Sequence, residues 1–230
     1  MLTLVLAEAE LELMPAELTR HPAVIAHARQ RRKQPTQILL DSNYHHPSMM
    51  TLPEGRRRGR PDITHLFLLT ALESIVNKQG QLNVIIHTRN NMLITVSPET
   101  RIMRNYERFL GLIETLFEKH VVPDEKHPLL TLQQNIALLQ AIKQEHADAI
   151  ITFSKDGSSI ILSDYFNELK KQKKQHLLCI IGGFPSGKFH TDLTTITTDI
   201  FSLYPEMLPA WTVASEILVN YGNMSHKISL

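Results

Sequence analysis

The apolar positions of this chain fall into two patterns. In residues 2–13 apolar side chains are interrupted by Glu8, Glu10 and Glu12, an alternation that predicts a strand closed by Pro15. Residues 21–33 predict a helix with a basic end at Arg29, Arg31, Arg32 and Lys33. Residues 37–40 predict a short strand running into the polar turn Asp41-Ser42-Asn43-Tyr44. A helix is expected from about Pro61, with Ile63, Leu66, Phe67 and Thr70 on one face. Residues 81–88 and 92–96 flank Arg89-Asn90-Asn91, a hairpin signal because asparagine tolerates positive φ. An amphipathic helix over 104–119, a loop over 121–131 and a helix over 132–146 follow. From residue 148 the pattern changes to continuous apolar runs alternating with helices: strands at 148–153, 176–183 and 198–203, and helices at 163–173 and 209–220. Unbroken apolar strands between helices predict an α/β fold with a buried, mostly parallel sheet.

Composition narrows the function classes. The chain has 230 residues, 43% hydrophobic and 20% charged, so it is globular and can bury a full core as one domain with an elaboration. The formal net charge is +1, so any anionic partner must be met by a local patch. Cys179 is the single cysteine, which excludes an intrachain disulfide and points to a reducing, cytoplasmic setting. The acidic residues of 2–13 do not suit a signal peptide, no stretch is apolar enough for a membrane span, and the histidines form no metal-ligand spacing.

Positive charge is concentrated in Arg56-Arg57-Arg58-Gly59-Arg60-Pro61-Asp62 and again in Arg101, Arg104 and Arg108. The second set recurs at i, i+3 and i+7, which puts it on one face if the backbone is helical. Arginine binds phosphate with a planar fork, so nucleic acid is the partner this charge fits. The competing reading is a solvated face paired with Glu107, Glu114 or Glu118. Asp62 likewise suits a first helical turn after proline whether or not it does chemistry. The lysine run at 170–174 reads as a solvated helix end. Gly182-Gly183-Phe184-Pro185-Ser186-Gly187-Lys188 spells G-x-x-x-x-G-K, but Phe189 stands where a nucleotidase needs a hydroxyl, and a poor helix former follows. A plain glycine turn, or glycines that admit a flat organic cofactor to the backbone, remain as readings.

Together these segments resemble one family. Leu40-Asp41-Ser42 with His46-Pro47, Arg60-Pro61-Asp62-Ile63-Thr64-His65, Arg101-Ile102 with Arg104 and Arg108-Phe109, and Gly182 through Lys188 are similar to the signature of the Emg/Nep group of SPOUT-class ribosome-biogenesis methyltransferases. The resemblance covers about residues 38–118 and 150–220. The short leading segment resembles the archaeal form. The family methylates N1 of a pseudouridine in small-subunit ribosomal RNA.

The resemblance implies a single SPOUT domain over 1–230, with an N-terminal part (1–147) carrying the RNA-binding arginines. The C-terminal part (148–230) would be a deep trefoil knot that binds S-adenosylmethionine and packs a homodimer. Cofactor-binding residues are expected at Ile151 and Thr152, at Gly182, Gly187, Lys188 and Phe189, at Phe201, Ser202, Leu203 and Tyr204, and at Leu208, Ala210 and Trp211. Asp62 and Arg60 are implied as catalytic, and Arg60, Arg101, Arg104 and Arg108 as RNA-binding. Small-subunit rRNA is the implied partner, with small-subunit ribosomal proteins or assembly factors beside it, and no metal. An RNA-binding assembly factor with little catalysis, or a SPOUT methyltransferase acting on another RNA such as tRNA, stands as the alternative.

Overall fold

A computed structural model describes residues 1–225; the last residues of the expected C-terminal part, 226–230, lie outside them. The strands are β1 (Leu2–Ala9), β2 (Leu82–Thr88), β3 (Leu93–Val96), β4 (Val121–Val122), β5 (Leu130–Gln133), β6 (Ala149–Ser159), β7 (Leu177–Gly182) and β8 (Ile200–Ser202). The helices are α1 (Pro22–Gln30), α2 (Ser42–Met49), α3 (Pro61–Leu72), α4 (Ile75–Lys78), α5 (Tyr106–Lys119), α6 (Leu138–Gln144), α7 (Leu162–Lys171) and α8 (Ala210–Ser225). The strands make one sheet in the order β4-β5-β3-β2-β1-β7-β6-β8. Along that order it is antiparallel from β4 to β2 and parallel from β2 to β8.

The continuous apolar strands are explained by burial on both faces. Every residue of β1 is buried, and successive side chains point to opposite sides. Leu2, Leu4 and Leu6 enter the larger core with Cys179 and Ile181 of β7, under Phe67 of α3, Phe109 of α5, Phe166 of α7 and Ile217 of α8. Val5 and Ala7 face the other way, with Leu178 and Ile180, under Leu138 and Ile142 of α6. Phe67, Phe109 and Phe166 are fully buried, so truncating any of them to alanine removes about 3–5 kcal/mol. A separate small core of Val24, Ala28, Leu40 and Met49 holds α1 and α2 together as the N-terminal elaboration. Glu114 of α5 ties this elaboration down. It pairs with Arg31 at 2.9 Å and Lys33 at 2.7 Å, and accepts the Leu39 N–H.

Several sequence-based expectations change. The first strand ends at Ala9, because Glu8 has φ +51° and the register with β2 shifts between Leu6 and Ala9. Residues 37–40 form no strand; a 3-10 turn at Pro35–Gln37 and one bridge between Leu13 and Leu39 stand there. The segment read as a turn at 41–44 opens α2, because the Asp41 side chain accepts the Asn43 N–H and caps it. The expected loop at 121–131 and helix at 132–146 are instead β4, β5 and the short α6. Val121, Val122, Leu130 and Leu132 extend the sheet through β3, and tertiary pairing overrides a pattern too short to distinguish strand from helix. The helix expected from Arg104 starts at Tyr106, capped by Asn105, whose side chain accepts the Arg108 N–H.

Candidate functional site

β6, β7 and β8 open onto one pocket with about 630 Å³ of empty space. Its floor is the end of β7 and the glycine loop, where Gly182, Gly187, Lys188 and Phe189 line it. Its far wall comes from β8 and the turn after it, through Phe201, Ser202, Leu203 and Tyr204, then Leu208 and Ala210. Ile151, Thr152 and Trp211 lie elsewhere. The first two are buried inside the sheet beside Cys179 and Ile180, and Trp211 packs against the larger core. The β6 contribution comes from Phe153, Ser154 and Lys155 instead. The sequence signal for this shift is weak, because the apolar run stops at Phe153 while the strand continues to Ser159.

The pocket's build fits a flat heterocycle with a short polar arm. A Cβ on Gly157 would stand 2.6 Å from the Phe201 backbone, so β8 reaches β6 only because that position is glycine. Gly187 has φ +92°, which other residues avoid. Phe153, Phe201, Leu203 and Leu208 give apolar walls, while Ser154, Lys155 and Glu206 add a few polar groups; apolar walls with a small number of polar groups are typical of small-molecule sites. The Lys188 ammonium is turned out to Asp156, which it meets at 2.9 Å. The next regular element after the loop is the 3-10 turn Leu193–Thr195, so the loop lacks the helix on which a nucleotidase rests its phosphates.

The second half of the site is the start of α3. Pro61 occupies the first helical position and Asp62 the first turn. Arg60 holds Asp62 with Nε to Oδ1 at 2.8 Å and Nη2 to Oδ2 at 2.7 Å. This bidentate bond raises the Arg60 guanidinium above its ordinary value. Beside them, Tyr106 donates to Asp41 Oδ2 at 2.6 Å. Burial raises the Asp41 carboxyl, and the nearby Asp62 charge adds to it. The Asp41 N–H donates to His45 Nδ1, and His45 Nε2 meets His27 Nδ1 at 2.9 Å. Sequence patterning assigns no role to Asp41, Tyr106 or His45; only the fold brings Asp41 and Tyr106 near Asp62, with His45 joined to them through Asp41.

The arginines divide by partner. Arg57 pairs with Glu8 and Glu10, Arg58 with Glu12, and Arg89 with Glu10. All three glutamates are buried, so the alternation in residues 2–13 supplies internal counterions, and most of the 56–60 cluster is not an open anion site. Arg101, Arg104 and Arg108 are exposed and, among the described residues, make no ion pair. Two of their three expected partners are engaged elsewhere, Glu107 with Arg31 and Tyr44 and Glu114 with Arg31 and Lys33, while Glu118 is exposed further along α5. Of the three, Arg108 alone is helical. Arg101 and Arg104 flank buried Ile102, and the Met103 carbonyl accepts from His65 Nε2 one turn after Asp62. That hydrogen bond docks the arginine segment against α3. Among the described residues no group of His, Cys, Asp or Glu is arranged to hold a metal, and no helix is long and apolar enough to cross a membrane.

Comparison with known proteins adds the family. The family model described as EMG1/NEP1 methyltransferase matches residues 4–222, including the stretch at 121–147 that carries no resemblance by motif. The ribosomal RNA small subunit methyltransferase Nep1 of Methanothrix thermoacetophila is 49% identical over 223 residues, covering 97% of this chain and 96% of that protein. The protein of the same description from Pyrococcus furiosus is 44% identical over 220 residues, covering 96% of each. A crystal structure of Archaeoglobus fulgidus Nep1 bound to S-adenosylhomocysteine matches with a TM-score of 0.84 at 33% identity, covering 96% of this chain and 97% of that one. With agreement of this extent in sequence and in fold, the chain belongs to the EMG1/NEP1 methyltransferase family.

Proposed function

We propose that the protein transfers a methyl group from S-adenosylmethionine to small-subunit ribosomal RNA, at N1 of a pseudouridine. The observation that carries this reading is the single peptide segment joining the two halves of the site. The Glu10 N–H donates to the Gly183 carbonyl at 3.0 Å, and the Glu10 carbonyl accepts the Arg60 N–H at 2.9 Å. The glycine-loop pocket and the Arg60–Asp62 pair are therefore neighbours across one residue of backbone.

The pocket residues Phe153, Gly182, Gly187, Phe201, Leu203 and Leu208 would hold the cofactor. When bound, it supplies an electrophilic methyl on a sulfonium. Pseudouridine N1 must lose its proton as it forms the new N–C bond, and Asp62 accepts or orients that proton while Arg60 fixes the carboxylate. Arg101, Arg104 and Arg108, exposed and without internal ion pairs among the described residues, bind phosphates and hold the extruded nucleotide in register. The active contribution of the protein is orientation and proton acceptance.

The chain path supports a knotted C-terminal part. After β7 it crosses to β8 on the far side of β6, and α8 returns against α3, α7 and β7. A homodimer has support in the groove between α3–α4 and α8, where Ile75 and Val219 remain exposed; light scattering giving only 26.3 kDa would exclude it. An rRNA substrate implies a cytoplasmic protein, with small-subunit ribosomal proteins or assembly factors as its further partners. The function is tested by calorimetry with S-adenosylmethionine together with labelled methyl incorporation into small-subunit rRNA. Binding and incorporation are expected; RNA binding without either would make it an assembly factor, and incorporation only into tRNA would redirect the substrate.

A further inference from the structure

Glu8 departs from its strand in a way that the sheet does not require. Its φ of +51° lies in the left-handed region, which a glutamate avoids, and it breaks the β1–β2 register. The outcome is a buried carboxylate beneath the glycine loop. Glu8 Oε2 accepts the His190 N–H at 2.8 Å, and Oε1 accepts the Thr191 N–H at 2.8 Å. Oε2 also accepts from Arg57 Nη2 at 3.1 Å. Arg57 continues the connection: Nη1 donates to the Lys188 carbonyl at 2.6 Å, Nε donates to Glu10 Oε1 at 2.7 Å, and the guanidinium lies 3.8 Å over the Phe184 ring. Two side chains thus grip the glycine loop at Phe184, Lys188, His190 and Thr191. Arg57 itself belongs to the segment that leads into Arg60 and Asp62.

We propose that Glu8 and Arg57 form a clamp that holds the glycine loop in its ligand-binding shape and fixes its spacing from Asp62. Both are positioning residues for methyl transfer. Neither lines the pocket, so their effect passes through the loop. Strained backbone and buried, fully engaged charges are retained at sites where a loop has to be held against its own freedom. The loop's own sequence has little means of fixing itself, since Gly187 has a conformation that needs glycine and Lys188 is turned out to Asp156.

The clamp rests on the cofactor reading above. The test uses Glu8→Gly, which tolerates the positive φ while deleting the carboxylate, and Arg57→Lys, which keeps the charge but loses the fork. S-adenosylhomocysteine affinity is measured by calorimetry, RNA affinity without cofactor by filter binding, and single-turnover rate at saturating cofactor and RNA. Both variants are expected to weaken S-adenosylhomocysteine at least tenfold and to slow the saturated rate by about a hundredfold, the scale of a small misplacement at a reacting centre. RNA affinity should stay at the wild-type level, because His65 and Ile102 anchor the arginine segment independently. A purely structural pair would lower the melting temperature and leave affinity and saturated rate unchanged below it; that result overturns the clamp. Wild-type protein that does not bind S-adenosylhomocysteine overturns the cofactor reading, and the clamp with it.

Discussion

Arg60 and Asp62 hold each other through two parallel hydrogen bonds at the first turn of α3, with each side chain 28% exposed. The pair is thus rigid yet reachable. If Asp62 accepts or orients the N1 proton, Asp62→Asn slows single-turnover methyl transfer at saturating RNA by about two to four orders of magnitude. As a mere first-turn acid, its loss would remove only about 0.3–1 kcal/mol of stability. Turnover near wild type in a folded variant would take Asp62 out of the chemistry. A rate loss confined to subsaturating RNA would reduce it to a brace for Arg60.

Arg101, Arg104 and Arg108 are exposed and have no internal ion pairs among the described residues, so their charge is available to phosphate. Replacing all three with alanine should flatten the log–log salt dependence of single-strand RNA binding by about 0.7 for each phosphate that is no longer neutralised. Cofactor affinity should not change. A slope equal to wild type would return these residues to the solvated surface.

Acid should loosen the elaboration first. Burial, with His27 beside it, lowers His45 from its ordinary 6.5 to about 4, and burial lowers His27 too. Folding then favours the neutral rings: their contribution is intact above pH 6.5 and is lost as pH falls towards about 4. Asp41, raised above 3.8 by burial, opposes this, because its protonation favours the folded state as pH falls. The melting temperature should therefore fall between about pH 6.5 and 4, and His45→Gln should flatten that fall. Equal slopes in the two proteins would mean that the histidine pair is not the acid-sensitive element.

Gly157→Ala would force β8 away from β6, because the new Cβ would stand 2.6 Å from Phe201 backbone. Phe201 lines the pocket, so both melting temperature and S-adenosylhomocysteine affinity should drop. Gly111→Ala is the control. Its Cβ meets nothing closer than 4.0 Å, in mid-α5, and it should stabilise the fold by about 0.5–1 kcal/mol with affinity unchanged.

The parallel half of the sheet was legible because β7 carries an unbroken apolar run, and a strand covered on both faces has no other pattern to show. α3 was legible from Pro61 and its apolar face. What escaped the sequence were features created by tertiary packing. β4 and β5 are too short to signal themselves, and α5 begins later because Asn105, rather than Arg104, caps it. The role of Glu8, Glu10 and Glu12 could not be read at all: an acid on alternate positions looks solvent-facing until Arg57, Arg58 and Arg89 are brought in from distant segments. For the site, the glycine loop and Asp62 were visible as motifs, whereas Asp41 and Tyr106 meet only through the packing of α2 and α5.

The proposed chemistry turns on one nitrogen atom. Two RNA stem-loops identical except for pseudouridine or uridine at one position should be incubated with the wild-type protein and S-adenosylmethionine, and the digested nucleosides identified by mass spectrometry. N1-methylpseudouridine is expected from the first RNA and no methylated nucleoside from the second, because uridine has no N1–H to surrender. Equal methylation of both, or a methyl found on any atom other than N1, would contradict that chemistry.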